Sequence, residues 1–241
     1  MILAARGVTV ARGRVLALAD VSVSVASGQA LGVFGPSGAG KSTLLGALAG
    51  QIPSRGDVSL QGHDVTREPV ERRVRRGLGY VPQGPSVLFD LSAEDNLATV
   101  LRVARRQGDP RASLEEVGLL GRADVAARDL SGGERRRLEL ARALSLSPAI
   151  LLCDEPFAGL GPRDLELVRG VLARRVREGL ALLITDHRVA EALALCDRAL
   201  LLVDGRVIVE RSRDEFLAAP EVCDRYLSGV GGDPPRTDVR A

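Results

Sequence analysis

A glycine-rich stretch with one lysine is the part of the sequence best suited to chemistry. Residues 35–43 read GPSGAGKST and match the spacing GxxxxGK[ST] of a phosphate-binding loop. In such a loop the glycines let backbone N–H groups turn toward phosphate oxygens. The lysine, Lys41, reaches the β- and γ-phosphates, and the hydroxyl of Ser42 binds Mg²⁺. The sequence therefore predicts a site for a nucleoside triphosphate and Mg²⁺.

Lys41 is also the only lysine in the chain. The sequence contains 33 lysine and arginine residues, and all the others are arginine. A compact ammonium fits among phosphate oxygens where a planar guanidinium does not, so we expect that arginine cannot replace lysine here. The lysine count thus supports the phosphate-binding interpretation.

A pair of carboxylates is the second group that could do chemistry. Asp154 and Glu155 directly follow the apolar run AILLC at residues 149–153. Open α/β sheets bind their ligands at the carboxyl ends of strands, so both carboxylates are expected at the site. Asp154 is placed to hold Mg²⁺ directly or through water, and Glu155 to polarise the attacking water. Cys153 fits a small buried apolar residue better than a reactive thiol.

A third group, LSGGE at residues 130–134, stands before a helical pattern. The first amides of a helix lack partners and carry the positive end of its dipole. Ser131, Gly132 and Gly133 at a helix start therefore predict a second anion-binding terminus. One chain carries two phosphate-binding termini.

The elements that position these groups are short buried strands followed by helices. Continuous apolar runs at residues 30–34, 149–153 and 180–184 are typical of parallel strands covered on both faces. Residues 21–25 alternate valine and serine, which predicts a half-buried antiparallel strand. The repeated order of strand then helix favours an α/β fold: a P-loop NTPase core with a mixed or parallel sheet and N-terminal antiparallel strands.

We expect one domain over residues 1–228. Residues 1–83 and 148–228 would form its nucleotide-binding α/β core, and residues 84–147, where the strand signals vanish, an inserted helical subdomain. Residues 229–241 are rich in glycine, proline and charge, and we expect them to form a disordered tail.

Composition argues against several classes of protein. With a formal net charge of +2 and an aromatic content of 2%, the chain offers little to stack on bases, so no nucleic-acid partner is expected. Three cysteines far apart predict neither a disulfide framework nor a thiolate metal site, which fits a reducing cytoplasm. Apolar runs stay well short of the roughly 20 residues of a membrane helix. If the protein serves a membrane, we expect it to do so from outside the bilayer.

Five motifs, taken in order, resemble those of the nucleotide-binding subunit of ATP-binding-cassette (ABC) transporters: GPSGAGKS, YVPQ, LSGGE, ILLCDEP and TDH. The resemblance covers nearly the whole chain, and LSGGE is the family's own signature. It implies an ATPase that binds ATP and Mg²⁺ and energises transport by ATP-driven dimerisation. Two subunits, expected to be identical chains, would pack head to tail, with each ATP between the phosphate loop of one and the signature of the other.

The resemblance also assigns roles to single residues. Lys41, Glu155 and His187 are expected to be catalytic, with His187 holding the γ-phosphate and Glu155 in place. Ser42, Gln83 and Asp154 are expected to hold Mg²⁺, and Gln83 also to sense the attacking water and the membrane partner. The residues expected to contact the nucleotide are Gly35, Pro36, Ser37, Gly38, Ala39, Gly40, Lys41, Ser42, Thr43, Gln83, Ser131, Gly132, Gly133, Glu134 and Arg12.

Two positions depart from the family's pattern. Arg12 stands where an aromatic ring usually stacks on adenine, so a guanidinium would have to stack there. Gly161 stands where the loop after the carboxylates usually carries an aspartate. That loop runs between the two subunits, so the change bears on cooperation between the sites. The two departures motivate one alternative, a regulatory subunit that binds ATP without turnover.

The resemblance implies integral membrane permease subunits as partners and a peripheral location on the cytoplasmic face of the inner membrane. The strings ERRRLELARAL, DEPFAGLGP and LLITDHRVAEALALCDRA are most similar to ATPases of lipopolysaccharide export. YVPQG followed by LSAEDNL also resembles importers of branched-chain amino acids. Residues 84–97 would dock the permease, and Asp90 stands there where an exporter would carry a basic residue. The alternative outside transport is a soluble ABC ATPase that acts on ribosomes or DNA.

Overall fold

The computed structural model of the protein describes residues 1–13 and 15–226. Within them the β-strands are β1 (Leu3–Arg12), β2 (Val15–Val25), β3 (Ala30–Phe34), β4 (Arg55–Leu60), β5 (His63–Asp64), β6 (Leu78–Val81), β7 (Ile150–Asp154), β8 (Ala181–Thr185), β9 (Arg198–Val203) and β10 (Arg206–Ser212). The α-helices are α1 (Lys41–Ala49), α2 (Val70–Arg75), α3 (Ala93–Ala104), α4 (Pro110–Glu116), α5 (Gly132–Leu144), α6 (Pro162–Arg177), α7 (Val189–Leu193), α8 (Arg213–Phe216) and α9 (Pro220–Arg225). Short 3₁₀ helices at Leu120–Arg122 and Ala127–Asp129 lie between α4 and α5.

The strands form two sheets. One is antiparallel, with the order β2-β1-β4-β5, and the other has the order β10-β9-β3-β8-β7-β6. In the second sheet β9, β3, β8, β7 and β6 run parallel, and β10 pairs with β9 in the antiparallel direction. The predicted α/β fold with a mixed sheet and N-terminal antiparallel strands is confirmed.

The central strands are buried along their whole length, as the apolar runs predicted. Every residue of β3, β7 and β8 is buried. β7 and β8 each begin and end one residue later than the runs, and Asp154 and Thr185 pair with each other at their carboxyl ends. The predicted valine and serine strand at residues 21–25 is the second half of β2.

Apolar clusters cover both faces of the six-stranded sheet. On one face Leu31 and Val33 pack in a cluster with leucines of α1 and valines of β1 and β2. On the other face Phe34 packs in a cluster that includes Phe157 and Phe216 and residues of α5 and α6. Because β3, β8 and β7 are parallel, their carboxyl ends lie at the same edge of the sheet, and the packing on both faces holds them there. Open α/β folds bind ligands at that edge.

The segment from residue 84 to residue 147 carries α3, α4 and α5. These helices share a third apolar cluster, which includes Leu97, Leu114 and Leu138. Its division from the core as a subdomain stays a prediction, and the predicted tail at residues 229–241 lies outside the described residues. Among the helices that the structure describes, none combines the length and the apolar character needed to cross a bilayer.

Candidate nucleotide site

The phosphate loop connects β3 to α1, as predicted. The helix begins after Gly40, whose backbone is left-handed (φ 107°), and no side chain caps its first turn. A Cβ at Gly40 would lie 2.7 Å from the carbonyl oxygen of Ala17, so both the conformation and the space require glycine. The uncapped amides of the first turn therefore point out of a loop that only glycine can form, which suits an anion.

Lys41 lies inside this loop. Its side chain folds back so that Nζ donates to the carbonyl oxygens of Gly35 (2.7 Å) and Pro36 (3.0 Å), and only 7% of the residue is exposed. Burial lowers the pKa of Lys41, and the charges of Glu155 and Asp154 oppose that lowering. The loop thus presents a compact ammonium that is already partly desolvated.

The two predicted carboxylates have different surroundings. Asp154 is buried at the end of β7, where its Oδ1 accepts a hydrogen bond from Thr185 Oγ1 at 2.7 Å. Glu155 follows in a left-handed backbone conformation (φ 54°), which is uncommon for a residue with a side chain and clusters at functional sites. Cys153, just before them, is fully buried, and burial raises the pKa of its thiol to about 12, so it is an apolar core residue as expected.

Glu155 joins two of the other predicted site residues. Its Oε2 accepts from Gln83 Nε2 at 3.0 Å, and its Oε1 lies 2.8 Å from His187 Nε2. The side chain of His187 is 57% exposed, while that of Glu155 is 11% exposed. The carboxylate is therefore held at both oxygens by groups from two separate loops.

These residues surround one cleft of about 330 Å³. Of the described residues that line it, all but Ala17 are predicted ones: Ser37, Gly38, Gly40, Lys41, Ser42, Thr43, Gln83, Glu155 and His187. Gly35 and Pro36 contribute the carbonyl groups behind Lys41, and Ala39 is buried below the loop. Sequence reasoning missed Ala17, since an alanine near the end of a hairpin carries no signal of its own.

The signature residues lie elsewhere. None of Ser131, Gly132, Gly133 and Glu134 is among the residues lining the cleft. Ser131 caps α5: its Oγ accepts from the N–H of Glu134 (3.2 Å), and the Glu134 carboxylate accepts from the N–H of Ser131 (2.8 Å). The carboxylate of Glu134 also pairs with Arg122 Nε at 2.9 Å. The hydrogen bond from Ser131 and the charge of Arg122 lower the pKa of Glu134. Within this chain, Glu134 is directed toward its own helix start.

A buried arginine links the signature helix to the site. Arg136, only 8% exposed, donates to the carbonyl oxygens of Asp154 (2.7 Å) and Glu155 (2.9 Å) and to that of Pro82 (2.8 Å). Its Nη1 also pairs with Glu139 at 2.6 Å. Sequence reasoning did not single it out, because residues 135–137 are all arginine and only the folded structure decides which of them reaches these carbonyl oxygens.

The two departures have different outcomes. The side chain of Arg12 lies outside the part of the chain that the structure describes, so its stacking on adenine stays a prediction. Gly161 is the N-cap residue of α6 and has an ordinary extended backbone (φ −71°, ψ 167°) with no side-chain cap.

Comparisons with known proteins agree with this geometry. A family model described as "ABC transporter" matches residues 18–158. The lipopolysaccharide export system ATP-binding protein of Acidithiobacillus ferridurans is 45% identical over 215 residues, which cover 86% of this chain and 89% of that protein. The protein of the same name from Escherichia coli (strain K12) is 39% identical over the same shares. A crystal structure of an ATP-binding cassette of an ABC transporter, in its ADP conformation, superposes with a TM-score of 0.83 at 25% identity and covers 94% of this chain and 98% of that one.

Proposed function

Because this chain belongs to the ABC transporter family and is an ATPase subunit of that family, we propose that it powers lipopolysaccharide export through separate membrane subunits. The observation that carries the ATPase chemistry is Glu155, held between Gln83 and His187 at the edge of the Lys41 cleft. The cargo is proposed from the relatives' names alone, since a nucleotide-binding subunit need not touch what is transported.

The site residues divide the work of hydrolysis. Lys41 and the amides at the start of α1 bind the phosphates of ATP. Glu155 orients a water molecule and accepts its proton as the water attacks the γ-phosphorus, which releases ADP and phosphate. His187 fixes the Glu155 carboxylate and lies at the mouth of the cleft, where it can contact the γ-phosphate.

Mg²⁺ fits the donors that are present. Ser42 and Gln83 bring a hydroxyl and an amide oxygen to the cleft, and Asp154 supplies a buried carboxylate behind it, which are the hard oxygen ligands that Mg²⁺ prefers. These three residues would hold the ion directly or through water, together with phosphate oxygens. When bound, Mg²⁺ neutralises charge on the transferred phosphate.

A second copy of the chain would complete each site. The cleft has nine predicted residues but none of the signature, while Ser131 and Gly132 are exposed at the start of α5. A helix start that is suited to an anion but does not line the cleft of its own chain can serve a nucleotide held by another chain. We therefore propose a head-to-tail homodimer with two ATP molecules between the subunits.

The partner in the membrane would dock on a groove between α2 and α3. Most of its lining is apolar, with Val70, Val74, Val100, Val103, Ala104 and Leu146 beside the charged Glu71, Arg75 and Arg106, and Val103 is 76% exposed. The predicted docking segment, residues 84–97, ends in the first half of α3, and the second half of the same helix lines this groove. Such a surface favours a helix of an integral membrane permease, which would place the protein on the cytoplasmic face of the inner membrane.

The test starts with Glu155→Gln, which keeps the shape of the side chain but removes the base. We expect ATP turnover to fall about 100-fold or more. Light scattering should then show the variant as a dimer with ATP and Mg²⁺, and as a monomer without them. Lys41→Ala, which removes the phosphate contact, should remain monomeric under both conditions. Undiminished turnover in Glu155→Gln would contradict the assigned role of the carboxylate.

A separate experiment tests the partner and the cargo. The tagged protein, purified from membranes in mild detergent, should bring an integral membrane protein with it, and its depletion in cells should lower lipopolysaccharide at the cell surface. Recovery of all the protein as a free soluble species would contradict the transport role. Normal surface lipopolysaccharide with impaired amino-acid uptake would leave the ATPase in place but assign it to the importer alternative.

A further inference from the structure

Two loops beside the nucleotide site are tied together by side chains that the proposed mechanism does not use. We call residues 157–161, which follow Glu155 and Pro156, the linking loop, and residues 186–188 the switch loop. Asp186 Oδ2 accepts a hydrogen bond from the N–H of Phe157 at 2.9 Å. Arg188 Nη2 donates to the carbonyl oxygen of Leu160 at 2.8 Å. The switch loop thus holds the linking loop near both of its ends.

The Asp186 end of this tie is rigid. Asp186 is only 2% exposed, and its other oxygen, Oδ1, accepts from the N–H of Arg188 at 2.8 Å. Burial raises the pKa of Asp186, and the hydrogen bonds from the two backbone N–H groups oppose that rise. Oδ2 of Asp186 therefore fixes the linking loop, and Oδ1 fixes the backbone of the switch loop itself.

The Arg188 end is a single charged hydrogen bond to a backbone carbonyl. At this end of the linking loop, the side chain of Leu160 is buried in the core and Gly161 has no side chain. A side chain of the switch loop can therefore hold this end through a backbone group, the carbonyl of Leu160. Hydrogen bonds from charged donors are stronger than those between neutral groups. The guanidinium of Arg188 in the switch loop donates this hydrogen bond to Leu160.

His187 lies between these two anchors. Its side chain is mostly exposed, and the contact that fixes it is the one to Glu155 at 2.8 Å. The position of its imidazole therefore depends on how firmly the backbone on either side is held. Asp186 and Arg188 are those neighbours, and both are bound to the linking loop.

We infer that Arg188 is a positioning residue that couples the linking loop to the switch loop and so keeps His187 against Glu155. The inference rests on the proposed roles of His187 and Glu155. Through the same contact, a displacement of the linking loop reaches the catalytic carboxylate. In this chain Gly161 leaves the end of the linking loop without an acidic side chain, and the contact of Arg188 with the Leu160 carbonyl connects that end to the switch loop.

Steady-state ATP turnover by the full-length protein tests the coupling. Arg188→Ala should lower kcat about tenfold and change KM for ATP less than twofold, because it displaces His187 from Glu155 and leaves in place Lys41 and the amides of α1, which bind the phosphates of ATP. Arg188→Lys should recover most of kcat, since an ammonium on a long side chain can still donate to Leu160. The matched control is Arg177→Ala, an exposed arginine at the far end of α6, which should behave as the wild type.

Amide hydrogen exchange gives a reading that needs no turnover. The N–H groups of Phe157, Ala158 and Leu160 are all hydrogen-bonded within or next to the linking loop. In Arg188→Ala these amides should exchange severalfold faster, while those of β7 stay protected. Unchanged exchange, or a kcat equal to that of Arg177→Ala, would overturn the inference. If Arg188→Ala exchanges faster but the wild-type protein does not hydrolyse ATP, the proposed function is contradicted, and the structural link between Arg188 and the linking loop is still supported.

Discussion

Two helices of this protein begin at glycine-rich loops, but their first turns are stabilised in different ways. α1 begins after Gly40, which has no side chain to offer its amides. α5 begins after Ser131, which forms a reciprocal pair of hydrogen bonds with Glu134. Helix starts leave amides without partners inside the helix, and a serine followed by a glutamate three residues on satisfies two of the exposed N–H groups.

The difference suits two kinds of phosphate contact. In α1 nearly every residue is buried, so packing stabilises the helix, and its uncapped amides remain available to a ligand. In α5 the hydrogen bonds between Ser131 and Glu134 satisfy two of the N–H groups within the chain, which stabilises the helix start before anything binds. The start of α1 forms the site, and the start of α5 is a preformed surface that can contact a nucleotide bound to another subunit. This is the asymmetry that a site shared between two chains requires.

Among substitutions at the helix starts, the largest effect is expected from Lys41→Arg at the start of α1. The loop holds the ammonium between two carbonyl groups 2.7 and 3.0 Å away, with the side chain almost fully buried. A planar guanidinium is too wide for that position, so we expect ATP turnover to fall about 100-fold with an unchanged circular dichroism spectrum. Near-normal turnover would mean that the single lysine of this chain is a coincidence.

Gly132→Ala tests whether the start of α5 contacts a nucleotide. A Cβ at Gly132 would meet nothing within 4 Å in this chain, so the melting temperature should be unchanged or slightly higher. If a second subunit brings ATP against this turn, the added methyl group should lower turnover about tenfold. Turnover and thermal unfolding of the same preparation measure both effects.

The matched control for Gly132→Ala is Gly170→Ala. Gly170 is exposed in the middle of α6, and a Cβ there also meets nothing within 4 Å. It should raise stability by about 1 kcal/mol without changing turnover. If Gly132→Ala also leaves turnover unchanged, the signature does not contact the nucleotide, and the comparison between the two helix starts fails.

The sequence predicted these helix starts because local spacing determines them. The phosphate loop directly follows the buried strand β3, and the two carboxylates stand at the end of the buried strand β7. The fold and the membership of the ABC transporter family that followed from the motifs are confirmed. What lay beyond prediction depends on packing between distant segments. Arg136 is one of three consecutive arginines, and only the folded structure brings it to the carbonyl oxygens of Asp154 and Glu155. Glu134 is paired with Arg122, twelve residues away in the chain.

The smallest expected effect comes from Gly161→Asp at the start of α6, which, like α1, begins after a glycine without a side-chain cap. Its backbone is extended and a Cβ would meet nothing within 4 Å, so aspartate fits and can accept from an amide of the first turn. We expect stability to rise by roughly a few tenths of a kcal/mol in chemical unfolding, with turnover within about twofold of the wild type. At α1, by contrast, the left-handed backbone of Gly40 forbids any such cap. A loss of stability in Gly161→Asp would show that this uncapped start, like that of α1, is required by the fold and is not merely tolerated.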